Sequence, residues 1–253
     1  MKRVVTGLVA ISIVVVLTIF APDWVFALSV GIVSALAAEE FMGLGAARGL
    51  GRPGKWFLVP VGMVGAAFFG GSEWVLTSLA LSVLVLLTVT MFSGSLETAF
   101  GQSAVGLGAI LYCGFTLGFV VLLPRELVLL LVAIIAAGDS TAYYGGRAFG
   151  RHALAPKISP KKTVEGAIAG LIGSMLVGGI AGVFFLGEPW LGITVISAAT
   201  AVVGQIGDLA ESAMKRSAGV KDSSSILPGH GGILDRLDSV LFAAPVFYWL
   251  FNI

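Results

Sequence analysis

Residues 127–147 read LVLLLVAIIAAGDSTAYYGGR. From Leu127 to Ala137 every side chain is apolar, and then Asp139 arrives with Ser140, Thr141, two tyrosines and Arg147. About 20 apolar residues carry a helix across a bilayer. A run of this texture that ends in a carboxylate places the acid at the polar boundary of the membrane or deeper. Carboxylates there are costly, and the default inference is function. A structural cap, or a pairing of Asp139 with Arg147, is the plainer alternative.

The rest of the chain repeats the apolar texture. Of 253 residues, 57% are hydrophobic and 11% charged, against roughly 25% charged in a soluble domain. Mean hydropathy is +1.02. The 35 glycines suit helices that approach closely in a membrane. Short polar breaks at Ala21-Pro22-Asp23, Gly71-Ser72-Glu73, Pro124-Arg125-Glu126 and Gly187-Glu188-Pro189 punctuate the runs, because neither Pro nor Gly continues a helix well. The pattern predicts an all-α polytopic membrane protein with about nine transmembrane helices, near 4–20, 24–42, 56–71, 74–92, 103–123, 126–144, 166–187, 190–213 and 236–252. The N-terminal run resembles a signal peptide but is long for one, and it reads as an uncleaved first span. Cys113 lies in an apolar run and reads as a packing residue. Residues 1–125 form an N-terminal set of spans, and residues 126–253 hold the polar chemistry.

Placing the N-terminus in the cytoplasm and alternating nine spans puts all but one of the 15 basic residues on the cytoplasmic side, as the positive-inside rule favours. Only Arg125 falls outside. The polar site would then face the cytoplasm, in a bacterial cell membrane. The eighth span carries Gln205, Asp208 and Glu211, and whether it is continuous stays open.

Two more polar blocks follow the first. Ile158-Ser159-Pro160-Lys161-Lys162-Thr163-Val164-Glu165-Gly166 sets paired lysines beside a helix start, which Thr163 or Ser159 can cap. Cations and free amides there suit a phosphate, although lysines beside a span are also topology signals. In the third block Asp208, Glu211, Ser212 and Lys215 fall at i, i+3, i+4 and i+7 and share one helix face. Asp235 and Asp238 share another. Glycines at 229, 231 and 232 let backbone come close to a ligand. His230 alone reads more readily as structural than as a ligand. Carboxylates with a single cysteine and two histidines favour Mg²⁺, bound through one or two carboxylates plus substrate phosphates. Zinc is disfavoured on ligand type. There is no P-loop, Gly-x-Ser-x-Gly or His-Glu-x-x-His. The residues alone lead to metal-dependent handling of a phosphorylated substrate in a membrane.

The segment Ser212-x-x-Lys215-Arg216, four residues, Lys221-Asp222, then Pro228-x-His230-Gly231-Gly232-x-x-Asp235-Arg236-x-Asp238 resembles the motif of the phosphatidate cytidylyltransferase family at every fixed position. The blocks at 139–146 and 159–166 resemble that family's upstream motifs. The resemblance implies synthesis of CDP-diacylglycerol and pyrophosphate from CTP and phosphatidic acid. It implies Mg²⁺ on Asp208 and Asp235, with or without a second, monovalent cation. Asp139, Lys215, Asp222 and Asp238 would line or support the reacting centre. Ser159, Lys161, Lys162, Ser212, Arg216, Lys221, His230 and Arg236 would bind substrate. The implied partners are CTP, phosphatidic acid, the bilayer and a second copy of the chain; no nucleic acid is expected. Rival readings are a CTP-dependent polyprenol or dolichol kinase, an ether-lipid cytidylyltransferase and, from another class, an ion-coupled transporter. Transporters also bury carboxylates, but they carry corresponding broken helices in two repeats, and none is visible.

Overall fold

The computed structural model describes residues 2–93, 96–227, 229 and 231–252. His230 lies outside the described residues. Among them the chain forms helices α1 (Lys2–Phe20), α2 (Asp23–Ala47), α3 (Val59–Ser93), α4 (Leu96–Ala109), α5 (Thr116–Leu122), α6 (Arg125–Phe149), α7 (Val164–Ala181), α8 (Trp190–Ser217) and α9 (Leu234–Phe251). One hairpin of strands β1 (Ala153–Ala155) and β2 (Ser159–Thr163) interrupts this all-helical order. Among the described residues six segments are long and apolar enough to cross a membrane: Asp23–Ala47, Trp56–Phe92, Leu96–Leu122, Arg125–Phe149, Val164–Leu186 and Trp190–Ser217. Large apolar side chains such as Phe69, Phe92, Phe184 and Phe185 stand exposed along them. Exposed apolar surface on this scale belongs against lipid.

The chain divides into two compact units. The first holds Met1–Leu122 and Met214–Leu237. Within it α3 is not one rod. Gly71 is non-helical, at φ 69° and ψ −160°, a region only glycine enters easily. On a straight helix Met63 and Leu86 would stand about 35 Å apart. Instead both pack on Ile110 in one buried cluster. Met63 faces Gly114, and Leu86 faces Gly106. The two arms of α3 therefore fold back on each other at the Gly71 break. α4 and α5 join through a π turn, Ile110–Phe115. Such a turn shifts the helical hydrogen-bond ladder, and there the Cys113 carbonyl accepts the Ser34 hydroxyl of α2 at 2.9 Å. Cys113 itself is fully buried, in keeping with a packing residue.

The second unit holds Leu123–Ala213 and Asp238–Ile253. α6 and α7 run antiparallel and touch along small residues. Gly138 faces Ser174, Ala142 faces Gly170, and Gly146 faces Gly166. A Cβ on Gly166 would sit 2.8 Å from the Ala142 carbonyl oxygen, so the backbones meet where side chains are missing. The Ser174 hydroxyl adds a bond across the pair to the Ile134 carbonyl, 2.8 Å. α7 ends through a second π turn, Gly182–Leu186, closed by Gly187 at φ 72°. α8 is one unbroken helix through Gln205, Asp208 and Glu211, which settles the continuity of that segment. Gly207 lets it approach α9 at the Asp238 carbonyl and Phe242.

Candidate active site

In the second unit the polar end of α6, the hairpin, the start of α7 and the middle of α8 enclose a cavity of about 530 Å³, within the usual range for small-molecule sites. α6 supplies Asp139, Tyr143 and Arg147; the hairpin supplies Lys161, Lys162 and Thr163; α8 supplies Gln205 and Asp208. The hairpin aims its lysines here for local reasons. Ala153 pairs with Thr163, and Ala155 with Ser159. Thr163 then caps α7, its hydroxyl oxygen accepting from the Gly166 amide at 3.1 Å. Glu165 ties the far side down. Its carboxylate accepts the amides of Arg151 (3.0 Å) and His152 (3.2 Å) and meets the His152 ring at 2.6 Å.

Charge in this cavity is arranged by sign. Lys162 pairs with Asp208 inside it, and Arg147 and Lys161 line the same space. Gln205 spans from α8 to the Ala167 carbonyl, 3.1 Å. The Asp139, Asp208 and Glu211 carboxylates all act electrostatically on Asp238, and Glu211 is fully buried. A low-dielectric wall carrying several acids attracts cations. No group of three or more His, Cys, Asp or Glu among the described residues is arranged to hold a metal by itself. Mg²⁺ does not require one, because one or two carboxylates and substrate phosphates suffice. Asp208 carries the hard oxygens such an ion takes, and its Oδ2 holds the Lys162 ammonium.

The first unit holds the rest of the long motif. Lys215, at the end of α8, pairs with Asp235 Oδ1 at 2.5 Å. The other oxygen, Oδ2, accepts the amides of Ser223 (2.9 Å) and Gly232 (2.7 Å) and the Ser223 hydroxyl (2.9 Å). Arg216 donates to the Val220 carbonyl at 3.0 Å. Lys221, Asp222 and Arg236 are exposed.

Of the residues singled out in the sequence, Asp139, Lys161, Lys162 and Asp208 line one cavity, with Asp238 among their charged neighbours. Ser212 is half-buried on α8, and Ser159 sits at the hairpin's strand pairing rather than in the cavity lining. The stripe on α8 divides its work: Asp208 turns to Lys162, and Lys215 to Asp235. Three residues were missed. Tyr143 and Gln205 line the cavity, and a polar residue in an apolar span was the signal for Gln205. Glu40, 5% exposed on α2, accepts four hydrogen bonds from the motif loop. Its signal was a carboxylate inside an apolar segment.

Residues 1–253 match the model of the cytidylyltransferase family. A phosphatidate cytidylyltransferase of Staphylococcus saprophyticus is 37% identical over 222 residues, covering 83% of this chain and 84% of that protein. One of Staphylococcus aureus is 34% identical over 253 residues, covering 93% and 95%. One of Haemophilus influenzae is 45% identical over 130 residues, which span 49% of this chain and 45% of that protein.

The two lysine pairs should differ in weight. Lys215 and Asp235 have side chains only 11% and 4% exposed, whereas Lys162 and Asp208 are 29% and 28% exposed. Lys215→Met strands a buried carboxylate and should cost about 3–5 kcal/mol of stability. Lys162→Met breaks a partly solvated pair and should cost about 1 kcal/mol or less. Unfolding of the detergent-solubilised protein by denaturant measures both, and equal costs would contradict the assignment.

Proposed function

Because this chain belongs to the cytidylyltransferase family, we infer that it transfers a cytidylyl group from CTP to phosphatidic acid, giving CDP-diacylglycerol and pyrophosphate. The observation that carries this reading is likeness along nearly the whole chain to proteins named phosphatidate cytidylyltransferase. The cavity suits it: basic groups beside carboxylates, on helices apolar enough to sit where the lipid is.

Phosphatidic acid is anionic near neutral pH, so the reaction needs no strong base. A phosphate oxygen of the lipid forms a bond to the α-phosphorus of CTP. The bond from that phosphorus to the bridging oxygen breaks, and its electron pair leaves on pyrophosphate. The obstacle is the approach of one anion to another. Lys161, Lys162 and Arg147 offset that repulsion and favour the charge that builds on the phosphate oxygens. Holding both substrates in line supplies much of the remainder. The Lys162–Asp208 pair keeps the ammonium extended into the cavity before substrate arrives. Arg216, Lys221, His230, Arg236, Ser159 and Ser212 are further substrate contacts in this reading. Asp139, Lys215, Asp222 and Asp238 support the reacting centre.

Mg²⁺ is the proposed cofactor, with Asp208 and Asp235 as its ligands. When bound it acts as a Lewis acid toward phosphate oxygens. At Asp235, Oδ2 accepts three hydrogen bonds and Oδ1 holds the Lys215 ammonium, so an ion there would take that ammonium's place at Oδ1. A second, monovalent cation and a homodimer belong to the same proposal. So does a nine-crossing arrangement with the N-terminus and the site in the cytoplasm, where CTP is. The fold-back of α3 at Gly71 supports counting two crossings there, and the distribution of Lys and Arg supports the orientation.

Purified protein given Mg²⁺, phosphatidic acid and CTP labelled at the α-phosphate should move label into lipid. Label at the γ-phosphate should leave in pyrophosphate. Removing Mg²⁺ with EDTA, or Asp208→Asn, should abolish nearly all transfer. Lipid labelled from the γ-phosphate would mean a kinase.

Orientation is read by cysteine labelling on a Cys113→Ser background. Glu188→Cys and Ser217→Cys avoid Gly187 and Gly219, whose positive φ values would strain any substitution. Glu188→Cys should label in intact cells, and Ser217→Cys only after permeabilisation. The opposite pattern would invert the arrangement.

A further inference from the structure

Glu40 lies far along the chain from every motif residue, yet it is the acceptor on which the motif loop converges. It sits on α2 among fully buried Ala37, Ala38 and Met42, and is itself 5% exposed. Its neighbour Glu39 faces outward and pairs with Arg52, so adjacent acids on one helix do opposite jobs. Oε1 of Glu40 accepts the Ser224 hydroxyl at 2.6 Å and the Ile233 amide at 3.0 Å. Oε2 accepts the Ser223 hydroxyl at 2.8 Å and the Leu234 amide at 2.8 Å. A carboxylate in apolar surroundings is tolerated only when its oxygens are satisfied. Here four donors do so.

The amides matter most. Ile233 and Leu234 stand at the start of α9, where a helix has donors without intrahelical partners. A carboxylate there also suits the helix dipole. Glu40 thus caps α9 from another helix. Through the serines it reaches further. The Ser223 hydroxyl lies 2.8 Å from Glu40 and 2.9 Å from Asp235 Oδ2, and the Ser223 amide donates to that same oxygen. Asp235 in turn holds Lys215. Between them, among the described residues, Leu227 and Gly231 form an isolated antiparallel bridge.

We propose that Glu40 is a positioning residue of the transfer reaction: it anchors Ser223, Ser224 and the first turn of α9, and so fixes Asp235 and Lys215. This rests on the cytidylyltransferase reading above. Gln is the informative replacement. One oxygen of Glu40 becomes an NH₂ group. Serine hydroxyls can turn to accept from it. A backbone amide cannot, so either Ile233 or Leu234 is left facing a donor.

The test combines an assay of transfer with limited trypsin digestion after Lys221, which is exposed. In Glu40→Gln, cleavage at Lys221 should speed up roughly tenfold or more, as expected when buried hydrogen bonds are lost. The kcat for cytidylyl transfer should fall about ten- to hundred-fold while KM for CTP stays within about threefold, since the lost placement acts in the transition state. Glu40→Asp keeps both oxygens on a shorter stem and should recover part of the kcat. Ser224→Ala should lower kcat alone but add little on top of Glu40→Gln, because the two act through one contact; it also carries the test if Glu40→Gln does not fold. A merely structural role would lower the yield of folded protein without the split between kcat and KM. Unchanged cleavage at Lys221, or additive losses in the double variant, would overturn the proposal. Faster cleavage in a protein whose wild type transfers no cytidylyl group would uphold the anchoring and sink the enzymatic reading instead.

Discussion

Helices α6 and α7 approach as closely as backbones can because Gly138, Gly146, Gly166 and Gly170 carry no Cβ where they meet. In a bilayer, where apolar burial offers little drive for helices to associate, close packing and interhelical hydrogen bonds take over. The seam sets the rest of its unit. It fixes Asp139 one residue beyond Gly138, and it brings the cap at Thr163 against Gly146 and Gly150. With both ends of the connecting segment fixed, and with Glu165 binding the turn after α6, the hairpin has little freedom. Lys161 and Lys162 are therefore presented to the cavity by the backbone rather than by flexible stems alone.

A second constraint is the cost of charge away from water. Three acids meet it in different ways. Asp208 has an ammonium from the hairpin. Asp235 has an ammonium, two amides and a hydroxyl. Glu40 has four neutral donors. The arrangement divides labour. Glu40 and Asp235 fix backbone through the amides they accept, whereas Asp208 is partly solvated and holds a lysine of the hairpin.

Much of this was legible in the chain itself. The break at Gly71-Ser72-Glu73 divides an apolar stretch that length alone would pass as one span, and Gly71 is where the helix fails. Polar residues on and after an otherwise apolar span drew Asp208, Lys215 and Asp235 out of the sequence, and each has an ion-pair partner, because a carboxylate in an apolar run has to be satisfied. The hairpin was not legible: strands of three and five residues are too short for alternation to show against flanking helices. Helix ends moved for a related reason. α6 continues to Phe149 and α8 to Ser217, past the polarity change, since helices extend beyond the hydrocarbon. Glu40 was hidden because its partners are nearly two hundred positions away, and helix periodicity carries no information about contacts at that distance. The pairing of Lys162 with Asp208 was hidden in the same way.

The proposed transfer requires the cavity to hold the phosphates of the nucleotide, with Lys161 and Lys162 as contacts rather than topology signals. The direct measurement is kcat/KM for CTP, and separately for phosphatidic acid, in Lys161→Gln and Lys162→Gln proteins shown to be correctly inserted. Loss of one charge-assisted contact is worth about 1.5–3 kcal/mol, roughly ten- to hundred-fold in kcat/KM. Arginine should restore only part, because its planar fork differs from a compact ammonium. Kinetics unchanged from wild type in both variants would contradict the account and leave these lysines as markers of orientation.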